Sequence, residues 1–276
     1  MPGTGRGVLD ISGYAPAGSL LNPEHYATMS DHLDRAREFS RRLVEIYGDE
    51  LVAVGLYGSA ARGEYRDGSS DLNVLVIVRE LDAERLRRGS ALAGEWVEAG
   101  NPPPLMLSEE EWRGSADAFP IEYSDIADAH LVLHGNDIFA GIEVRWNDLR
   151  LICEHELKSK KIALRERYLL AAETPTELGM LLTSSISTFV ALFRAMHRLG
   201  GTTPPADSRT VITQLARSAA FDPDPFLRVL TARDEGTPLS PAADDPVATG
   251  YLAGVTVASD WLDGLSGPPV VGSGTS

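Results

Sequence analysis

The sequence has one cysteine, few lysines and no long uninterrupted apolar segment. The single cysteine, Cys153, excludes an internal disulfide framework and any metal site built from several thiolates. No apolar run approaches the roughly 20 residues that a membrane helix needs, and the first residues lack the charged and apolar regions of a secretory signal. These absences predict a soluble protein of the reducing cytoplasm, without a membrane partner.

Positive charge is scarce overall and concentrated in one segment. The formal net charge is −15, from 25 Lys and Arg against 40 Asp and Glu. This balance disfavours nucleic acid as a partner, because nucleic-acid binding depends on neutralising phosphates. Residues 145–172 are the exception, with seven cations, four carboxylates and every lysine of the chain. Two interpretations are open, a solvated helix face in an arginine-rich protein or a local anion site on an acidic body.

The periodicity of apolar residues divides the chain near residue 145. Residues 1–28 are rich in Gly and Pro and predict an irregular lead-in, and residues 266–276 predict a flexible tail. Residues 29–145 mix helical and strand patterns, whereas residues 146–265 are helical throughout. The predicted strands are 51–57, 71–78, 105–107, 121–126 and 130–135. The pattern predicts an α+β domain followed by an all-helical bundle.

Helix-start signals support this division. A capping residue, often followed by proline at the first helical position, satisfies N–H groups that the helix leaves free. The predicted starts are Ser30, Ser108 with Glu111, Asn147, Thr174-Pro175, Asp207 or Ser208, Asp224-Pro225 and Asp245-Pro246.

The segment GLYGSAARGEYRDGSSDLN, residues 55–73, carries the pattern most informative about chemistry. Gly58 permits close approach of the backbone to a ligand. Ser59 stands where a short helix would begin and offer free N–H groups to phosphate. Asp71 and Asn73 are two positions apart at a strand start, so they share a face and suit a Mg²⁺ held between protein and phosphate oxygens. The alternative is a glycine turn between strands, with an Asp that only satisfies backbone groups.

Two sets of cations are candidate phosphate ligands. Arg62 and Arg66 lie between the halves of the motif, where they would contact a triphosphate or form surface ion pairs. Lys158 and Lys161 share one helix face by their spacing, which predicts a stripe facing the Gly58–Ser59 turn. The alternative for this stripe is an exposed helix face with a Glu154–Lys158 ion pair, worth a few tenths of a kcal/mol.

The residues 55–73 resemble the Gly-Ser … Asp-x-Asp signature of the polymerase-beta-like nucleotidyltransferases. This resemblance covers about residues 30–140 and implies a mixed sheet, Mg²⁺, and transfer of a nucleoside monophosphate from an NTP such as ATP to a hydroxyl. In that family a third carboxylate lies on a later strand. The resemblance places Glu122 there, as a metal ligand and catalytic base beside the catalytic Asp71. The helical second domain is similar in layout to antibiotic nucleotidyltransferases and implies a small-molecule acceptor.

Asn73 departs from the family pattern, which has a second Asp at this position. An amide oxygen is a weaker ligand for Mg²⁺ than a carboxylate. Three outcomes are open: catalysis with a loosely held metal, substitution by a nearby carboxylate such as Asp125, or nucleotide binding without turnover. A transferase of the toxin–antitoxin kind that modifies a protein is a further alternative. The sequence does not determine the acceptor, the base of the NTP or the oligomeric state.

Overall fold

The computed structural model describes residues 23–65 and 71–268, with side chains from residue 31 onward. The predicted lead-in up to residue 22 and the tail from residue 269 lie outside the described residues. In chain order the described elements are α1 (Pro23–Tyr47), a 3₁₀ turn (Gly48–Glu50), β1 (Leu51–Tyr57), β2 (Asn73–Val78), α2 (Ala83–Glu98), β3 (Leu105–Ser108), α3 (Glu109–Gly114), α4 (Pro120–Asp128), β4 (His130–Gly135), α5 (Trp146–Ala171), α6 (Pro175–Leu199), α7 (Ser208–Ala219), α8 (Asp224–Glu235) and α9 (Pro246–Asp263).

The four strands form one mixed sheet in the order β3-β2-β1-β4. β1 is antiparallel to β2 and to β4, and β2 is parallel to β3. Helices α1 and α2 pack on one face, where Phe39 and Trp96 contact the sheet, and Trp112 and Phe139 pack on the other. Both faces of β1 and β2 are therefore buried, as the short apolar sequence of β1 and the Val- and Ile-rich sequence of β2 predict. The predicted α+β fold with a helical C-terminal part is confirmed.

The predicted strand at 121–126 is wrong, because these residues belong to α4. Pro120 occupies the first turn of this helix, where its fixed φ angle favours helical backbone and its missing N–H costs nothing. Ile121, Tyr123 and Ile126 are buried. A short apolar run of this kind does not separate helix from strand by periodicity alone.

Three of the seven predicted helix starts make a capping bond, Thr174 holds the predicted position without one, and three are wrong, among them Asn147, since α5 begins at Trp146. The side chains of Ser108, Asp207 and Asp245 accept hydrogen bonds from the first turns of α3, α7 and α9. Ser30 does not begin a helix, because α1 already begins at Pro23, so the end of the predicted lead-in is helical. Asp224 is the first residue of α8 and makes no capping bond.

Helix α6 forms the centre of the helical part and packs against α5, α7, α8 and α9. By length and composition it is apolar enough to cross a membrane, but 61% of its most apolar window is buried inside the protein, as in the core helix of a globular domain. Cys153 of α5 lies in the same core, where burial raises the pKa of its thiol to about 12. Ile121 of α4 precedes residue 145 but also packs in this core. The domain boundary near residue 145 therefore stays our proposal.

Gly179 allows α6 to approach the chain before α9. A Cβ at this position would lie 1.6 Å from the carbonyl oxygen of Leu239. We expect Gly179→Ala to lower the free energy of unfolding by about 2–3 kcal/mol, because backbone atoms must move. Denaturant titration measures the change. Gly94→Ala is the matched control, since that helical position has nothing within 4 Å of a new Cβ, and it is expected to be neutral or stabilising.

Candidate active site

A cleft of about 230 Å³ separates the β1–β2 end of the sheet from helices α6, α7 and α8. It brings together four of the residues that the sequence singled out. These are Ser59, Arg62, Asp71 and Asn73. The other lining residues are Glu64, Asp125, Ser187, Val190, Ala191, Arg194, Asp207, Ser208, Arg209, Leu230, Arg233 and Asp234.

The turn after β1 depends on Gly58, whose φ angle is +80°. The side-chain nitrogen of Asn73 lies 3.1 Å from the position that a Cβ at residue 58 would occupy, so Gly58 also leaves room for Asn73. The amide of Arg62 donates to the carbonyl of Gly58, and that of Glu64 donates to the carbonyl of Ser59, at 2.9 Å. Residues 58–63 form successive turns instead of the predicted short helix. Ser59 nevertheless lines the cleft as expected.

Asp71 and Asn73 lie at the other end of the connection between β1 and β2. Asn73 begins β2 and pairs with Tyr57 at the end of β1, which places it beside Gly58. Asp71 is exposed, and both residues line the cleft. One carboxylate and one amide fit a Mg²⁺ that keeps water and phosphate oxygens as its other ligands. They do not form a metal site of their own, and the described residues contain no cluster of three side chains suited to a metal.

Arg62 projects from the turn into a charged network below the cleft. Its side chain is only 8% exposed, and Nη2 lies 2.9 Å from a carboxylate oxygen of Asp125. The angle of this contact is not that of a hydrogen bond, so Nη2 is a buried donor without a hydrogen-bond partner among the described residues. Asp125 also accepts a hydrogen bond from Arg198 of α6, at 2.7 Å. Two arginines hold Asp125, which also lines the cleft, so its substitution for the missing carboxylate of the motif stays a prediction.

A second ion pair joins the same turn to the helical part. Glu64 accepts a hydrogen bond of 2.7 Å from the backbone amide of Ser208, the first residue of α7, whose N–H groups have no intrahelical partner. Its other oxygen lies 3.0 Å from Arg194 of α6. Arg194 is 4% exposed and also donates to the carbonyl oxygens of Pro205 and Ala206. Burial lowers the pKa of the Arg194 guanidinium.

No family model matches this chain, and no curated protein matches it. Among solved structures, it is similar to a crystal structure of the spectinomycin adenyltransferase AAD(9) from Enterococcus faecialis with ATP and spectinomycin. The TM-score is 0.52 at 12% sequence identity, over 86% of this chain and 99% of the other. The chain shares the fold of that adenyltransferase structure.

Glu122 does not join the cleft lining. It is exposed on the first turn of α4, near Tyr57, whose hydroxyl pKa is raised by burial and further by the charge of Glu122. The two strands after β2 have the sequences LMLS and HLVLHG, without Asp or Glu. The later-strand carboxylate that the family resemblance implied at Glu122 is therefore not found there.

The predicted lysine stripe faces α9 instead of the Gly58–Ser59 turn. Lys158 pairs with Glu154 and lies 3.0 Å from Asp263. Lys161 donates a hydrogen bond of 2.7 Å to Ser259. The predicted position of these lysines was wrong, because spacing determines which residues share a helix face but not which element packs against that face. Their binding of phosphate stays a prediction. Arg66 lies outside the described residues.

The sequence analysis missed the arginines of the helical wall. Arg194, Arg209 and Arg233 line the cleft from α6, α7 and α8. One signal was available, since Arg194 stands in the apolar run FVALFRAM of α6. A charged residue within a buried helix is almost always paired or functional.

Proposed function

We propose that this protein binds a nucleoside triphosphate, ATP in the first instance, in the cleft and transfers its nucleoside monophosphate to a hydroxyl group of a small molecule in the cytoplasm. The observation that carries the proposal is the convergence of Ser59, Arg62, Asp71 and Asn73 on one cleft. Ser59 and Arg62 lie near the start of the 15-residue connection between β1 and β2, and Asp71 and Asn73 lie at its end. A turn with only a structural role would not need all four to face the same space. The fold shared with an adenyltransferase agrees with this function.

Ser59 and Arg62 are suited to the phosphate groups. The hydroxyl of Ser59 is a donor at the tightest part of the turn, next to Gly58, where the backbone is open to close approach. Arg62 also lines the cleft, and the positive charge of its guanidinium would attract the phosphate groups while Nη2 stays beside Asp125.

Asp71 and Asn73 would hold Mg²⁺ together with the phosphates, and the bound ion would neutralise charge on the phosphoryl group during transfer. Asp71 is also suited to receive the proton of the acceptor hydroxyl. The other carboxylates of the cleft lining have partners: Glu64 with Arg194, Asp125 with Arg62, Asp207 with the first turn of α7, and Asp234 with Arg233.

The helical wall is suited to the acceptor. Val190 and Leu230 supply apolar surface there, and Ser187 and Arg209 supply polar groups. The described lining contains four arginines and five carboxylates, so it is close to neutral. A neutral or modestly charged acceptor fits this wall better than a polyanion such as nucleic acid.

A second candidate function is nucleotide binding without transfer. It is favoured by Asn73 together with the absence of Asp and Glu from β3 and β4. Electrostatic stabilisation dominates phosphoryl-transfer catalysis, so a cleft with one unpaired carboxylate can bind a nucleotide yet turn it over slowly.

One pair of assays separates the two functions. Melting curves with each NTP, with and without Mg²⁺, report binding because a bound ligand raises the melting temperature by mass action. Incubation with α-³²P-labelled NTPs and pooled small-molecule acceptors reports transfer. We expect both a melting shift and a labelled small product. Label on a protein band would instead favour a protein-modifying transferase, and the absence of any shift would contradict both functions.

Asn73→Asp supplies the carboxylate that the family pattern contains. We expect this variant to bind the Mg²⁺–nucleotide complex about tenfold more tightly and to transfer faster, because a second carboxylate strengthens the metal site. Label transfer and Mg²⁺ titration measure both effects. Transfer that appears only in Asn73→Asp would identify the natural protein as a binder. Asn136→Asp, at an exposed position outside the cleft, controls for the added charge.

A further inference from the structure

The hairpin of α5 and α6 carries a concentration of exposed apolar side chains. Eleven large apolar residues are exposed in the described part of the chain, and five of them lie on these two helices: Leu151, Ile162, Leu169, Leu170 and Met180. Leu169 and Leu170 are 79% and 83% exposed, and Met180 is 65% exposed. Leu151 and Ile162 lie farther along α5 and need no explanation as isolated residues, but Leu169, Leu170 and Met180 lie together at the tip of the hairpin and mark an interaction surface.

A groove of about 350 Å³ runs between the two helices at this end of the hairpin. Leu170 and Ala171 line it from α5, and Met180 and Leu181 line it from α6. Leu169 stands next to the groove without lining it. The surface thus combines an apolar groove with an apolar side chain, Leu169, beside it. Two copies of such a surface can pack against each other, with the side chain of each copy facing the groove of the other.

The groove also carries one cation and one anion on opposite helices. Arg167 lies four residues before the end of α5, and Glu177 is the third residue of α6, so both are about one turn from the tip. Both are exposed, and neither has an ion pair or hydrogen bond within the part of the chain that the structure describes. Neither residue lines the nucleotide cleft.

We propose that this surface binds a second copy of the chain in a two-fold symmetric dimer. A two-fold axis along the groove places α5 of each copy over α6 of the other. Arg167 then faces Glu177 of the second copy, and the same pair forms again on the other side of the axis. A two-fold interface repeats each contact in this way, and the apolar groups around the groove exclude water from the charged pairs. The proposal is independent of the function proposed for the cleft.

Sedimentation equilibrium of the full chain tests this dimer over a wide concentration range. We expect a mass that rises with concentration from 29.7 kDa toward twice that value. Arg167→Glu and Glu177→Arg each place like charges opposite one another twice, and each is expected to weaken the dimer by about tenfold or more. Leu170→Asp is expected to abolish it. Arg217→Glu, a charge reversal at an exposed position of α7, is expected to leave it unchanged.

A mixture of the two charge-reversed proteins gives the sharpest result. One partner then carries Glu at positions 167 and 177 and the other carries Arg at both, so both contacts become favourable again. We expect the mixture to form a heterodimer although each variant alone is weakened. A monomeric natural protein at every concentration, reversals without effect, or a mixture that stays monomeric would each overturn the proposal. Melting temperatures establish that the variants are folded.

Discussion

Asp71→Asn is expected to lower the rate of nucleotidyl transfer by about 10²–10³-fold. This is the range found when one electrostatic contact to a transition state is removed. Among the described residues of the cleft lining, Asp71 is the carboxylate with neither an ion pair nor a hydrogen bond, so no neighbour there can replace it. The change keeps the size of the side chain and removes only its charge. We also expect the Mg²⁺-dependent part of the nucleotide-induced melting shift to disappear, while the Mg²⁺-independent part from Ser59 and Arg62 remains.

Rates of label transfer and melting curves with and without Mg²⁺ measure these effects. Asp117→Asn makes the same substitution at an exposed position outside the cleft and is expected to change neither. If Asp71→Asn kept the natural rate and Mg²⁺ dependence, the assignment of the cleft as a transferase site would fail. The melting readout remains informative even if natural turnover is slow.

Glu64→Ala is expected to lower the free energy of unfolding by about 3 kcal/mol, because it leaves the buried Arg194 without its carboxylate and the start of α7 without its acceptor. For a chain of this size, that loss corresponds to a fall of roughly 6–12 °C in melting temperature. The residue also anchors the turn that holds Ser59. We therefore expect the variant to bind nucleotide more weakly at temperatures where it is fully folded.

Denaturant titration and nucleotide binding at low temperature test this prediction. Glu98→Ala, an exposed glutamate on α2, is the matched control and is expected to change stability by less than about 0.5 kcal/mol. The double variant Glu64→Ala/Arg194→Met is expected to lose less than the sum of the single losses, since the pair is removed together. Additive losses would show that Glu64 and Arg194 do not stabilise one another.

The two ion pairs also bear on how the cleft is formed. Arg62 and Glu64 stand two residues apart in the turn after β1, and each connects it to the helical part, through Asp125 with Arg198 and through Arg194. A turn that is held at two points is positioned before any ligand arrives. Such preorganisation reduces the entropy that binding would otherwise cost.

The sequence by itself determined the mixed α and β character of the first part, the helical second part, and the turn with Gly58, Ser59, Asp71 and Asn73. These depend on local rules: apolar periodicity, capping residues, and the backbone freedom of glycine. The same rules misassigned residues 121–126, because six residues with a few apolar positions satisfy both helix and strand patterns.

Only the tertiary structure decided which side chains meet across the cleft. The lysines of α5 face α9, Glu122 lies outside the lining, and Asp125 is held by two arginines. Arg194 reaches Glu64 over 130 positions of sequence. Which element packs against a given helix face depends on the tertiary arrangement of all the helices and strands. The spacing of residues within one segment does not encode that arrangement.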